Sequence, residues 1–264
     1  MAGQVRLTID GPVARVQLSH PGRLNAMSRA MWAQLQSAFT QVQQAPGLLC
    51  AVVHGEGDAF CAGGDISEYQ DFRFEEASLR DFHERDVWGA LQALLDCDVP
   101  IVAAIRGACM GAGLEIASCC DLRIAAADAS FGAPIARLGF PMAPREAMVV
   151  AAAVGDATTR QLLLEAAVLD APTLQGRGFL QHVVPAGEFQ AGVDALVARL
   201  CALAPQAARL NKRTLRALRE QHDPVRQAAA RRELDAAYRY APGAEHREGI
   251  AAFLAKRKPA FRSQ

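Results

Sequence analysis

The sequence lacks the motifs of several large enzyme classes. It has no G-x-S-x-G motif of serine hydrolases and no complete G-x-G-x-x-G or P-loop motif of nucleotide-binding proteins. Its six histidines form no H-x-x-x-H pair and no Cys/His cluster with metal-ligand spacing. We therefore interpret the histidines as structural or solvated, and we predict neither a metal site nor a tightly bound cofactor.

An excess of one charge sign and long apolar runs are also missing. Lys plus Arg and Asp plus Glu each number 28, so nothing in the net charge favours nucleic acid or an anionic membrane as partner. No apolar run reaches the roughly 20 residues that span a bilayer, and the first residues show no signal-peptide pattern. The seven cysteines form no C-x-x-C pair. These features predict reduced thiols and a cytoplasmic location.

The hydrophobic pattern predicts an α/β fold with a substantial core, since 51% of the 264 residues are hydrophobic. Alternating residues over 5–18, around a turn at Asp10-Gly11-Pro12, predict a β-hairpin. Helical periodicity over 25–42 predicts a helix with Ser28 as a candidate cap. Short apolar runs predict buried parallel strands at 48–54, 100–105 and 122–126.

From about residue 205 the chain becomes rich in Arg and Ala with helical spacing. Helices are predicted over 211–222, 224–240 and 248–257. We therefore divide the chain into a core at 1–204 and a C-terminal helical region at 205–264. The apolar stripes of that region must pack on the core or on another subunit.

Two glycine-rich segments each follow a predicted buried strand. In the first, AFCAGGDI at 59–66, paired glycines allow close backbone approach to a ligand, and Asp65 is a candidate cap. In the second, IRGACMGAGLE at 105–115, free N–H groups at a helix start would stabilise negative charge. Both segments also fit a structural interpretation, as a strand-to-helix turn and as close helix packing.

Glu115 is the only charged residue in the apolar stretch 114–120. Burial would raise the pKa of its carboxyl group, whereas the helix N-terminus would lower it. Such a balance suits proton transfer near neutral pH. The alternative is a structural carboxylate bonded to Arg106 or to the backbone.

Together these segments resemble the enoyl-CoA hydratase/isomerase family, also called the crotonase superfamily. The resemblance also includes CDLRIA at 120–125, FGAP at 131–134 and EGIAAFLAKRKPAF at 248–261, and it covers nearly the whole chain. It implies an acyl-CoA enzyme, hydratase-like, built as an α/β crotonase-like spiral of ββα units. It also implies a C-terminal helical trimerisation region that supports homotrimers or dimers of trimers.

The resemblance also implies roles for individual residues. The N–H groups of Gly64 and Ala112 would form an oxyanion hole for the thioester enolate, with Glu115 as acid/base. Coenzyme A would bind as part of the acyl-CoA substrate. The implied substrate and CoA contacts are Arg23, Leu24, Ala26, Ala62, Asp65, Ile66, Gly111, Ile135, Phe253 and Lys256.

One position departs from the family pattern. Hydratases of the family use two glutamates to hold a water and move its protons, and the second directly follows FGxP. Here that position is Ile135, which cannot transfer a proton.

Three hypotheses stay open for the chemistry. Glu115 acts alone, in a hydratase or an isomerase; or Glu146 supplies the second carboxylate; or the reaction is decarboxylation, C–C cleavage or thioester hydrolysis. For Glu146 we favour an exposed ion pair with Arg145. A weakly active or non-catalytic acyl-CoA binder is a further alternative.

Overall fold

The computed structural model describes residues 2–220 and 241–257, without the side chains of 217–220 and 245. The predicted helix over 224–240 lies outside the described residues. So do residues 221–222 of the helix predicted before it and the last residues of the 248–261 block.

Within residues 2–220 and 241–257, nine strands form two sheets. The strands are β1 (Gln4–Asp10), β2 (Val13–Ser19), β3 (Cys50–Gly55), β4 (Ile101–Ile105), β5 (Ala108–Met110), β6 (Leu122–Ala126), β7 (Ser130–Gly132), β8 (Val168–Asp170) and β9 (His182–Val184). The larger sheet has the order β1-β2-β3-β4-β6-β9, in which only β1 and β2 are antiparallel. The smaller sheet has the order β5-β7-β8. The predicted hairpin and the three predicted parallel strands are confirmed.

Helices connect and cover these strands. They are α1 (Arg29–Gln44), α2 (Glu76–Asp81), α3 (Trp88–Asp96), α4 (Ala112–Cys119), α5 (Pro144–Val154), α6 (Asp156–Leu164), α7 (Ala171–Gly176), α8 (Phe189–Cys201), α9 (Pro205–Glu220) and α10 (Ala244–Leu254). A π-helical turn, Phe82–Val87, joins α2 to α3, and 3₁₀ turns lie at Ile66–Asp71 and Pro134–Leu138.

The first helix shows how the sequence sets a boundary. Ser28 caps α1, because its hydroxyl accepts a hydrogen bond from the Met31 N–H at 3.3 Å. The helix begins at Arg29 rather than at the predicted residue 25. Leu24 and Asn25 have φ angles of 47° and 61°, which a right-handed helix cannot contain.

The C-terminal region packs on the rest of the chain. The Lys212 ammonium at 3.0 Å from the Val99 carbonyl oxygen and 2.7 Å from Asp121 ties α9 to the sheet. Helix α10 begins at Ala244, four residues before the predicted start, and packs on both 3₁₀ turns. Its Ile250 is fully buried. The division at residue 204 and the trimerisation region stay predictions.

None of the helices among the described residues combines the length and hydrophobicity needed to cross a membrane. All seven cysteines are free thiols, six of them buried.

Candidate active site

The two glycine-rich segments lie against each other. Cys61 and Cys109 form a parallel bridge, in which the Cys61 N–H donates to the Ala108 carbonyl at 3.0 Å and the Met110 N–H donates to the Cys61 carbonyl at 2.8 Å. A Cβ on Gly113 would lie 2.6 Å from the Cys61 carbonyl oxygen. The start of α4 therefore packs directly on the first segment, and this contact requires glycine.

The backbone of Gly64 is oriented by Met27, with which it forms a second parallel bridge. On either side of Gly64, the Met27 N–H donates to the Gly63 carbonyl and the Asp65 N–H donates to the Met27 carbonyl, both at 2.8 Å. Because alternate residues of a bridge face opposite sides, the N–H of Gly64 points away from Met27. Ala112 opens α4, so its N–H has no partner within the helix. Neither N–H donates a hydrogen bond to another described residue.

The segment before α1 is bound to the first glycine-rich segment. The Ala62 N–H donates to the Leu24 carbonyl at 3.0 Å, and the Arg23 guanidinium lies 2.9 Å from Asp65 Oδ1. Asp65 is buried and accepts from the Ser67 N–H at 3.1 Å, so the predicted cap is confirmed. Its carboxylate thus contacts protein groups and positions Arg23, while Leu24 is 60% exposed.

The other predicted contact residues lie on two further elements. The Gly111 N–H donates to the Gly132 carbonyl at 2.8 Å, which places the Pro134–Leu138 turn, with a partly buried Ile135, next to the start of α4. Phe253, half-exposed, and Lys256, exposed, lie at the end of α10. No hydrogen bond or ion pair joins either residue to Arg23 within the described ranges.

Glu115 lies in the first turn of α4, where its N–H donates to the Gly111 carbonyl at 3.0 Å. Its side chain is partly buried. Arg106 stacks over the Phe189 ring at 4.9 Å, and among the described residues no bond joins it to Glu115. The alternative in which Arg106 holds Glu115 therefore finds no support.

Glu146 is buried, with 1% exposure, and its Oε1 lies 2.8 Å from His83 Nδ1. The interpretation of Glu146 as an exposed partner of Arg145 is therefore wrong. Helix α5 begins at Pro144, so consecutive residues point about 100° apart. Arg145 points outward to Glu84, at 3.1 Å, whereas Glu146 points into the protein.

Glu115 and Glu146 influence each other's ionisation. The pKa of each carboxyl group is raised to about 8, chiefly by burial. The charge of Glu146 contributes to the raised pKa of Glu115, and the Arg73 guanidinium acts in the opposite direction on both groups. Two interacting carboxyl groups lose their protons in steps that belong to the pair. Near neutral pH the pair therefore retains at least one proton, which a member of the pair can donate.

Sequence reasoning missed Arg73 and His83. Arg73 is almost fully buried, with its guanidinium 4.2 Å from the Tyr69 ring centroid and 4.3 Å from that of Phe140. His83 is largely buried, and its Nδ1 lies 2.8 Å from Glu146 Oε1, which fits neither a solvated nor a merely packed histidine. Both residues fall in the stretch between the glycine-rich segments, where no motif marks them.

The raised pKa values predict a stability effect that is independent of activity. A carboxyl group with a folded-state pKa above its ordinary value stabilises the fold at low pH, and this contribution is lost as pH rises through the folded-state pKa. The melting temperature of the wild type should therefore fall as the pH rises from about 4.5, the ordinary pKa, to about 8. Glu115→Gln should flatten that fall by a few degrees, measured by thermal denaturation.

The exposed Glu165 supplies a matched control for this experiment. Glu165→Gln should keep the wild-type slope. Equal slopes for the wild type and Glu115→Gln would contradict a buried, ionising carboxyl pair.

Comparison with known proteins identifies the family of the chain. The family model for enoyl-CoA hydratase/isomerase matches residues 8–264. The chain is 31% identical over 252 residues to a "probable enoyl-CoA hydratase" of Mycobacterium bovis, covering 96% of this chain and 95% of the relative. It is 30% identical over 253 residues to a crotonyl-CoA hydratase of Syntrophomonas wolfei, with 96% and 95% coverage.

A solved structure, described as an enoyl-CoA hydratase/carnithine racemase from Magnetospirillum magneticum, superposes with a TM-score of 0.80. It is 34% identical, and the match covers 98% of this chain and 96% of that one. The crotonase fold predicted from the sequence is thus confirmed, and the chain belongs to the enoyl-CoA hydratase/isomerase family.

Proposed function

We propose that the chain catalyses addition of water to the C2–C3 double bond of a 2-enoyl-CoA thioester. The observation that carries this proposal is the interacting carboxyl pair of Glu115, partly buried in the first turn of α4, and Glu146, buried on α5, which packs against α4. Glu146 thereby supplies the second carboxylate that the sequence lacks at Ile135. The hydratase names of the relatives agree with this reaction.

The oxyanion hole would consist of the N–H groups of Gly64 and Ala112. Backbone donors from two segments that touch at Cys61 are held rigidly, and they need no reorganisation as charge develops on the thioester oxygen. This arrangement stabilises the enolate more than the ground-state carbonyl. It accelerates attack at C3 for that reason.

The carboxyl pair would move the protons. In our mechanism the ionised member removes a proton from water, whose oxygen bonds to C3 while the C2–C3 π electrons move to the thioester oxygen. The protonated member then donates its proton to C2 as the carbonyl re-forms. One water is added, no group leaves, and one proton remains on the pair.

Coenzyme A would lie along the segment that contains Arg23, Leu24 and Ala26. Leu24 is exposed beside Ala62, and the Arg23 guanidinium is held by Asp65 near Ile66. A cation fixed at the protein surface suits the phosphates of the cofactor portion. Phe253 and Lys256 at the end of α10 are additional candidate contacts.

A second candidate is isomerisation of a 3-enoyl-CoA, and the apolar Ile135 favours it. A side chain without polar atoms helps to keep a nucleophilic water away from the acyl chain. The carboxyl pair then transfers a proton from C2 to C4 without hydration. This reaction uses the same enolate and the same oxyanion hole.

Mass spectrometry of acyl-CoA products distinguishes these reactions. Incubation with crotonyl-CoA should give a product heavier by one water. A 3-enoyl-CoA should give no net mass change under isomerase activity, only a shift in retention. Glu165→Gln serves as an active control. Loss of CO₂, release of free CoA, or tight binding without turnover would each overturn the hydratase proposal.

A further inference from the structure

The helical stretch from Glu76 to Asp96 contains an irregularity at its centre. The turn Phe82–Val87 is π-helical, between the α-helical segments α2 and α3. Single π turns of this kind occur frequently at functional sites, because the wide turn redirects the side chains around it. Here the turn directs Phe82 and His83 into the protein, with Phe82 packed 4.7 Å from the Phe72 ring.

The π turn is fixed to the start of α5 by two neighbouring contacts. Glu84 pairs with Arg145 at 3.1 Å, and His83 Nδ1 lies 2.8 Å from Glu146 Oε1. Consecutive residues on one element thus contact consecutive residues on the other. Because the outer ion pair fixes the relative position of the two elements, the inner hydrogen bond restricts the carboxyl group of Glu146.

The His83 side chain is 12% exposed and that of Glu146 is 2% exposed, so water does not compete freely for this bond. Burial lowers the pKa of His83 well below its ordinary value, and the charge of Arg73 lowers it further. The imidazole is therefore neutral at neutral pH and has one N–H donor and one acceptor nitrogen.

The geometry around Glu146 differs from that around Glu115. Both lie in the first turn of a helix, but the Glu146 carboxylate also contacts His83 Nδ1 at 2.8 Å, and its own backbone hydrogen bond lowers its pKa. The Arg73 guanidinium lowers the pKa of both groups, whereas the charge of Glu84 raises that of Glu146 and the charge of Glu146 raises that of Glu115. The charged or titratable groups that act on this pair are Arg73, His83, Glu84, Arg145 and, from α10 through His83, His246.

We propose that His83 is a positioning residue whose Nδ1–H donates to the Glu146 carboxylate, so that Glu146 is the proton acceptor and Glu115 the proton donor of the pair. This inference rests on the proposed function and adds the direction of proton transfer to it. A histidine that is neutral throughout the working pH range orients the base without itself exchanging protons with substrate.

Two variants separate this role from simple packing. His83→Leu fills the space without a donor, and it should lower kcat for crotonyl-CoA hydration about 10-fold to 100-fold with KM within about twofold. Without the donated hydrogen bond the base becomes harder to ionise, so the acidic limb of the kcat–pH profile should move to higher pH. His83→Asn keeps an N–H donor near the Nδ1 position, so it should recover most of kcat and the wild-type profile.

The wild-type protein supplies a readout that does not depend on the activity of any variant. Its imidazole ¹⁵N chemical shifts, assigned to His83 by comparison with His83→Asn, should show a protonated Nδ1. An unprotonated Nδ1 would overturn the inference. The inference would also be overturned if a folded His83→Asn variant lost as much kcat as His83→Leu. The same holds if the kcat–pH profile of His83→Leu superposed on that of the wild type.

The inference and the proposed function fail in different ways. If the wild type does not hydrate crotonyl-CoA, the proposed function fails whatever the His83 tautomer. Suppose instead that the wild type is active and Glu146→Gln is inactive, but His83→Leu has the kcat and the kcat–pH profile of the wild type. In that case only the positioning role of His83 fails.

Discussion

Glu146→Gln is expected to reduce kcat for crotonyl-CoA hydration by about 10²-fold to 10⁴-fold, the usual contribution of a positioned acid or base. Glutamine is nearly isosteric with glutamate and can still accept the hydrogen bond from His83 Nδ1. It cannot remove a proton from water. Since Glu146 is almost fully buried, a matched amide preserves packing while it removes only the proton-transfer function.

Glu115→Gln should give a loss of the same order, because each member of a proton-relaying pair is useless without the other. The double variant should be little worse than either single variant, since residues that act as one unit are strongly non-additive. Binding of a non-reacting acyl-CoA should survive in all three, as measured by calorimetry.

The control for these variants is Glu165→Gln, at an exposed position at the end of α6, which should retain wild-type activity. A Glu146→Gln enzyme with undiminished kcat would show that Glu115 acts alone. Fully additive losses in the double variant would show that the two carboxyl groups serve separate steps.

The two glycine-rich segments of the candidate site could be predicted from the sequence, because each follows a buried strand and is rich in small residues. The residues proposed as donors within them, Gly64 and Ala112, were implied by the resemblance to the family. Glu115 was conspicuous as the single charge in an apolar helix. These predictions used local patterns, and the local structure follows them.

The inward orientation of Glu146 could not be predicted from the local sequence pattern, because that pattern does not show where α5 begins. Whether Arg145 or Glu146 faces inward is decided by the position where α5 begins, and a shift of one residue rotates the buried face by about 100°. The prediction of an exposed ion pair assumed that Arg145 and Glu146, adjacent in sequence, both point toward solvent. Instead Arg145 pairs with Glu84 on a different element.

His83 was hidden for a related reason. Its inward orientation follows from the π turn at Phe82–Val87, and regular 3.6-residue periodicity does not anticipate such a turn. Its partner lies 63 positions later in the chain. Contacts of this separation follow from tertiary packing rather than from motif spacing.

The second large effect is expected at the proposed oxyanion hole. Gly64→Ala should lower kcat for crotonyl-CoA by about 10²-fold to 10³-fold, the usual loss when one oxyanion donor is removed. A Cβ at Gly64 would overlap the Tyr69 hydroxyl. Tyr69 cannot move aside easily, because its ring packs edge-on against Phe72 and Phe140, each at 6.1 Å, with Arg73 above it.

The strain must therefore be relieved by the backbone of the glycine-rich segment. A displacement there would turn the Gly64 N–H away from the thioester oxygen, even though alanine keeps the N–H itself. The loss should appear mainly in kcat, since the oxyanion forms only as the reaction proceeds. Gly176→Ala, where a Cβ meets no atom within 4 Å, should be close to wild type.

Removal of the Tyr69 hydroxyl tests the cause of this loss. In Gly64→Ala/Tyr69→Phe the nearest ring atom, Cζ, would lie 3.1 Å from the new Cβ, a tight contact that a shift of a few tenths of an ångström relieves. The double variant should therefore recover a large part of kcat relative to Gly64→Ala, with Tyr69→Phe alone as the reference. If the double variant is no faster than Gly64→Ala, the hydroxyl is not what displaces the donor. If kcat of Gly64→Ala lies within a few-fold of the wild-type value, Gly64 is not an oxyanion donor. A backbone N–H confined so tightly could not keep its direction after a Cβ is added.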